Sequence, residues 1–298
     1  MNTAASARAT LTGIIAILLW STSVGLLRSL AEHFGPLLSA ALVYSTSALF
    51  LCLSRGLPRL RAFSRRYLII GGALFISYET ALALAIGLAH SRSQSLELGM
   101  INYLWPSLTV VMALWINAQR YSWLLWPGLL LALAGVLRVL GGDNGFSLSG
   151  LWQNVQDNPV AYLLALCAAI VWALYCNLTR RWAKGQNAVS LFFCLTALTL
   201  WCAVLWQAPN IPHPAFTFTS TLQLLFMGLS TALAYSAWNH GIQQGNMTLL
   251  ATASYFTPVL SALASSLWLQ LTPGFAFWQG VCLVVAGSLL CWRGTQMR

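Results

Sequence analysis

Long apolar runs, each closed by a short polar break, recur from one end of the chain to the other. A run of about 18 or more apolar residues can cross a hydrocarbon core of about 30 Å as a helix. Ten such spans are read, at about 10–28, 37–54, 67–89, 97–116, 122–141, 160–182, 188–207, 220–240, 248–270 and 275–292. The pattern predicts an all-α integral membrane protein. The first span has no small-residue cleavage site of the kind that ends a signal peptide, so it reads as a retained helix. The longest break, "GDNGFSLSGLWQNVQDNP" at 142–159, is rich in Gly, Asn, Asp and Ser and reads as an external loop joining two halves, 1–141 and 160–298.

Composition agrees. The 298 residues are 58% hydrophobic and only 7% charged, with a mean hydropathy of +0.72, far from the charged fraction of about 25% typical of soluble chains. A net charge of +10 would point to nucleic acid in a soluble protein; here it sets orientation. With the N-terminus inside, the fifteen basic residues divide so that only Arg28, Arg92 and Arg138 lie on the outer side. Cytoplasmic excess of Lys and Arg is the usual rule, so both termini are expected in the cytoplasm. The seven cysteines all fall within apolar spans, with no CxxC pair, and read as packing residues rather than metal ligands.

The two halves align at one offset without gaps inside each segment. Trp20 maps to Trp172 (172 − 20 = 152), Arg28 to Arg180, Tyr103 to Tyr255, Pro106 to Pro258, Gly128 to Gly280 and Gly135 to Gly287. Coincidences of Leu or Ala mean little between apolar sequences; coincidences of Trp, Tyr and Pro mean more. Each half holds five spans, an odd number, so the second half would enter the membrane from the opposite side. Such two five-helix inverted repeats are how many secondary carriers obtain two related conformations around a midplane site.

Pro106 and Pro258 fall at equivalent, central positions of the fourth and ninth spans. Each removes an intrahelical hydrogen bond, and the freed carbonyl is tolerable in lipid only where protein, water or a ligand satisfies it. The pair marks a helix break and gating point beside a cavity, the simpler reading being a packing kink. Trp20, Trp105 and Trp172 lie near span centres, with Tyr78, Tyr103, Tyr175, Tyr235 and Tyr255 at central or intermediate depth. They are candidates for a stacking wall, or for ordinary packing. Glu79 is the one acid at a span centre, roughly 18 Å from either helix end. Intramembrane acids commonly serve ion or proton pathways, so Glu79 is a candidate for substrate contact and proton coupling. A hydrogen-bonded structural role is the alternative. Asn102, Asn177 and Asn239 are further mid-span polar groups that could hold an amino or carboxyl group, or simply bond neighbouring helices. The glycine pairs Gly128/Gly135 and Gly280/Gly287 point to close contact between the fifth and tenth spans, or to an oligomer interface.

Ten spans in a five-plus-five arrangement with both termini inside resemble the EamA branch of the drug/metabolite transporter superfamily. The segments "LLWSTSVGLLR" (18–28), "SYETALALAIG" (77–87), "ELGMINYLWPSLT" (97–109), "VLGGDNG" (139–145), "AWNHGI" (237–242) and "SYFTPVLS" (254–261) look like the YddG-type aromatic amino acid exporters within it. His240 departs from the small apolar residue expected there. The resemblance implies a secondary transporter of the bacterial inner membrane that exports Phe, Tyr and Trp by alternating access, or alternatively an efflux protein for cationic aromatic drugs. It would be no enzyme, would need no cofactor or metal, and would bind no nucleic acid. Its partners would be membrane lipid and the small-molecule substrate, with the chain acting as a monomer or a weak homo-oligomer. The wall would hold Trp20, Tyr78, Tyr103, Trp105 and Trp172, with Pro106 and Pro258 as bending points.

Overall fold

The computed structural model describes residues 3–56, 63–116, 122–141, 148–183, 186–207, 216–244, 250 and 253–296. Among them there is no strand. Lipid offers backbone groups no partners, so each crossing segment satisfies its own N–H and C=O groups by coiling. The helices are α1 (Thr3–Ser21), α2 (Ser23–Phe34), α3 (Pro36–Arg55), α4 (Gly72–Gly87, entered through a π turn at Tyr67–Gly71), α5 (Arg92–Asn102) and α6 (Trp105–Ile116). They continue as α7 (Leu125–Gly141), α8 (Leu148–Asp157), α9 (Pro159–Trp182), α10 (Val189–Trp206), α11 (Phe218–Gln244), α12 (Thr257–Trp268) and α13 (Phe275–Gln296). Seven helical runs among the described residues are long and apolar enough to cross a membrane by themselves, and Leu125–Val139 is a shorter apolar helix.

Three predicted spans are divided. The first bends at Thr22, which separates α1 from α2. The fourth is two half-helices, α5 and α6, and the ninth is broken at Tyr255–Phe256 before α12 begins. The connecting segment 142–159 is a correction to the sequence reading: ten of its residues, Leu148–Asp157, are helix α8 rather than loop, while 142–147 lie outside the described residues. The dipeptide Asn158-Pro159 then starts α9. Asn158 Oδ1 accepts from the Ala161 N–H over 3.3 Å, and proline occupies a first-turn position where its missing N–H is no loss.

The main packing partners are α7 with α13, α1 with α11, α4 with α9, and α3 with α10. Hydrogen bonds between helix ends sort these ends into two layers. At one end Ser64 Oγ donates to the Trp182 carbonyl, Arg181 donates to Ile116 and the Ser122 N–H to Gly294. At the other, Arg28 donates to the Ala89 carbonyl, Asn158 to Leu88 and Arg92 to Leu269. There too Glu32 receives Arg28 at 3.1 Å and Arg92 at 2.8 Å.

The α7–α13 contact uses up the four glycines. A methyl on Gly128 would lie 2.8 Å from the Gly287 carbonyl oxygen, and one on Gly135 would lie 2.7 Å from that of Gly280. Backbones approach this closely only where side chains are absent, which is how helices associate in lipid without a hydrophobic driving force. The glycines therefore serve an internal contact, and the oligomer-interface reading of these residues falls.

Candidate functional site

Between α1/α2, α3, α4, α5/α6, α9 and α11 the helices leave a chamber of about 170 Å³, whose wall is completed by Ser254 and Thr257. Its most ordered feature is a stack. The Trp172 ring lies 4.3 Å from Tyr78 at an interplanar angle of 29°, with Tyr175 on it at 4.9 Å and 20°. Trp105 meets Trp172 edge-on at 6.4 Å. Across the chamber Trp20 packs against Tyr235 at 5.2 Å and Trp238 at 5.3 Å. Behind these rings Phe75, fully buried, touches Trp172, Tyr175, Phe192, Phe193 and Tyr235. Offset and edge-on pairs of this kind each contribute about 0.5–1.5 kcal/mol beyond area burial, so the second layer holds the first in place.

Glu79 lies in the wall of the chamber and is 5% exposed. The Tyr44 hydroxyl donates to its Oε2 over 2.7 Å, and the Tyr235 hydroxyl donates to its Oε1. Among the described residues no ion pair involves Glu79, and no Lys, Arg or His lines the chamber. Two buried polar atoms of lining residues lack hydrogen-bond partners: the indole Nε1 of Trp20 and the amide Oδ1 of Asn102. A buried polar atom left unpaired costs about 1–3 kcal/mol, and in native structures it commonly marks a place where something else binds.

The structure brings Trp20, Tyr78, Glu79, Asn102, Tyr103, Trp105, Trp172 and Tyr235 together on one chamber. It does not bring every candidate there. Tyr175 is buried one ring back, and Tyr255 is buried but outside the lining. Asn177 donates to the Thr109 and Ala173 carbonyls and so ties α9 to α6. The Asn239 side chain lies outside what is described. The prolines are not mid-helix kinks: Pro106 and Pro258 each open a half-helix, in the first turn of α6 and α12. The break itself has the same hydrogen bonds in both halves. Leu104 N–H donates to Ile101 and Leu108 to Leu104; 152 positions on, Phe256 donates to Ala253 and Leu260 to Phe256.

Comparison with known proteins is in keeping with this geometry. Residues 159–293 match the model of the EamA-like transporter family. The full chain is 47% identical over 295 residues to the aromatic amino acid exporter YddG of Salmonella typhimurium, covering 98% of this chain and 99% of that one. It is 45% identical over 289 residues to the YddG of Escherichia coli, covering 97% and 98%.

The chain belongs to the EamA-like transporter family.

A solved crystal structure also shares the fold, with a TM-score of 0.68 and 24% identity, covering 97% of this chain and 98% of the other. The protein is thus a multi-pass membrane protein of a transporter family.

Several wall residues of this transporter escaped the sequence reading: Tyr44, Cys176, Thr231, Trp238, Ser254 and Thr257. An offset of 152 positions carried a signal for most of them. Val24 and Cys176, Glu79 and Thr231, Ile86 and Trp238, Asn102 and Ser254, and Trp105 and Thr257 are each 152 apart, as Trp20 and Trp172 are, and both members of every pair line the chamber. Cys176 had been read as a packing residue and is in fact part of the wall. Tyr44 had no such signal, because its image, Thr196, is buried elsewhere.

Proposed function

We propose that this protein is a secondary transporter that exports the aromatic amino acids Phe, Tyr and Trp across the bacterial inner membrane by alternating access through the ring-lined chamber. The observation that carries the reading is a single chamber whose wall joins the rings of Trp20, Tyr78, Trp105 and Trp172 with one acid, Glu79: an apolar, aromatic cavity holding one carboxyl suits an aryl side chain attached to an ammonium-bearing carbon. The names of the two YddG relatives point to the same substrates.

Alternating access follows from two inverted repeats, 1–141 and 160–298, joined through 142–159. Three features support that arrangement. Exchanging the halves turns the α1–α11 pairing into α9–α4. It also turns the Gly128–Gly287 contact into Gly280–Gly135. The partners α7 and α13 meet start to end at Ser122 and Gly294, and a two-fold axis relating two antiparallel helices is perpendicular to them, hence in the membrane plane. In this scheme both termini are cytoplasmic, Pro106 and Pro258 keep the breaks at which half-helices tilt, and Glu79 couples transport to protons. The working unit is one chain.

Purified protein in liposomes is expected to exchange labelled Phe or Trp in a saturable way with counterflow. Absence of flux under any gradient would overturn the reading. A second reading, efflux of cationic aromatic drugs, is favoured by one observation: among the described residues Glu79 has no basic neighbour in the wall. Glu79→Gln would then abolish drug export and spare amino acids.

A further inference from the structure

The polar groups of the chamber are not balanced between the two ends of an amino acid. On the acceptor side stand the Glu79 carboxylate and the unpartnered Asn102 Oδ1. Tyr44 and Tyr235 fix the orientation of the carboxylate by using one lone pair on each oxygen, and each oxygen keeps a further acceptor site. An ammonium, with three donors and no acceptor capacity, matches such a pair of acceptors.

On the donor side the wall is neutral: among the described residues it offers the hydroxyls of Tyr78, Tyr103 and Thr231 and the indole N–H groups of Trp20, Trp105 and Trp238, but no Lys, Arg or His. The Trp20 N–H is buried without a hydrogen-bond partner. Arg28 and Arg92 are engaged with Glu32 and with the carbonyls of Ala89 and Leu269. A cation entering the chamber compensates a buried charge. A carboxylate entering it adds a second buried anion, and taking a charge out of water without a partner is expensive.

Resting on the reading of the chamber as the substrate site, we propose that recognition there is anchored on the ligand's ammonium group and that the carboxylate is dispensable. Arylalkylamines such as phenethylamine are then ligands of this transporter in their own right, and arylalkanoates such as 3-phenylpropionate are not. Glu79 and Asn102 Oδ1 hold the ammonium, the aromatic wall takes the ring, and Trp20 Nε1–H contributes only when a carboxylate is present.

The test is calorimetric titration of the full chain in lipid nanodiscs with L-phenylalanine, phenethylamine and 3-phenylpropionate, which share one ring and differ only in charged groups. Phenethylamine is expected to bind within about threefold of phenylalanine, and 3-phenylpropionate at least about tenfold more weakly, the loss set by one charge-assisted hydrogen bond. Trp20→Phe keeps a ring and removes the N–H, so it should weaken phenylalanine about three- to tenfold and weaken phenethylamine clearly less. Glu79→Gln should abolish the preference for the amine. Equal binding of amine and acid by the wild-type chain, or phenylalanine binding without phenethylamine binding, would overturn the inference whether or not the variants fold. Phenethylamine binding without phenylalanine binding would overturn the amino acid reading and leave this one standing; binding of none of the three would sink both.

Discussion

The Tyr44 hydroxyl on α3 donates to Glu79 Oε2 on α4 over 2.7 Å, and the same hydroxyl lies 3.2 Å from the Glu79 backbone carbonyl. A tyrosine from one helix thus holds a buried acid of the next by its side chain and beside its main chain. Removing that hydroxyl leaves one carboxylate oxygen without its donor in a water-poor site. Tyr44→Phe is expected to destabilise the protein by about 1–3 kcal/mol, seen as a lowered Tm in detergent. It should also lower affinity for aromatic substrates in a binding titration.

Trp172 takes part in two stacked contacts, and both depend on its ring. Trp172→Ala is expected to raise the apparent KM for Phe about 2- to 10-fold, from the loss of one ring contact with the substrate worth about 0.5–1.5 kcal/mol, and to lower the Tm through the loss of its contacts with Tyr78 and Tyr175. Trp172→Phe should recover most of it. Counterflow kinetics in liposomes read the difference, and equal kinetics for the Ala and Phe variants would remove the ring from recognition.

Protonation of Glu79 would cancel the charge that attracts an ammonium, so affinity should fall as pH falls through the titration of that carboxyl. Glu79→Gln carries no titrating group there, and its binding should be flat across the same range. A wild-type profile that is equally flat would take Glu79 out of proton coupling.

Gly135 faces the Gly280 carbonyl and the Val284 N–H, with both atoms 2.7 Å from where a methyl would sit. Neither is the movable end of a side chain. Gly135→Val is expected to cost at least about 1–3 kcal/mol by overpacking and to reduce the folded fraction in a thermal-shift assay. Leu130→Ala, on the same helix but 67% exposed to the lipid side, should change little.

Cys52 on α3 and Cys194 on α10 place their sulfurs 3.7 Å apart. A disulfide needs the sulfurs to close to about 2.05 Å, a small movement here. Copper–phenanthroline oxidation is expected to join the two helices, detected by mass spectrometry of peptides containing both cysteines, and Cys52→Ala should abolish the product. No cross-link would contradict the register of α3 on α10.

The spans were legible in the sequence because lipid imposes one rule everywhere: a segment that crosses must be apolar and must satisfy its own backbone. The same rule made Pro106, Pro258 and Glu79 conspicuous, since each violates it at the centre of a span. The offset of 152 was legible because Trp, Tyr and Pro seldom coincide by chance, and it reached wall residues such as Ser254 and Trp238 that inspection of single spans passed over. Other features depended on which way side chains turn. A tyrosine at mid-depth has the same sequence signature whether it faces the chamber, as Tyr235 does, or stands behind it, as Tyr175 does. The identity of the groups that hold Glu79, Tyr44 and Tyr235, followed only from the packing of α3 and α11 against α4. Burial of backbone polarity is a local requirement that the order of residues states by itself; the pairing of a hydroxyl with a carboxylate 35 or 156 positions away is a property of helices brought face to face, and tertiary structure alone decided it.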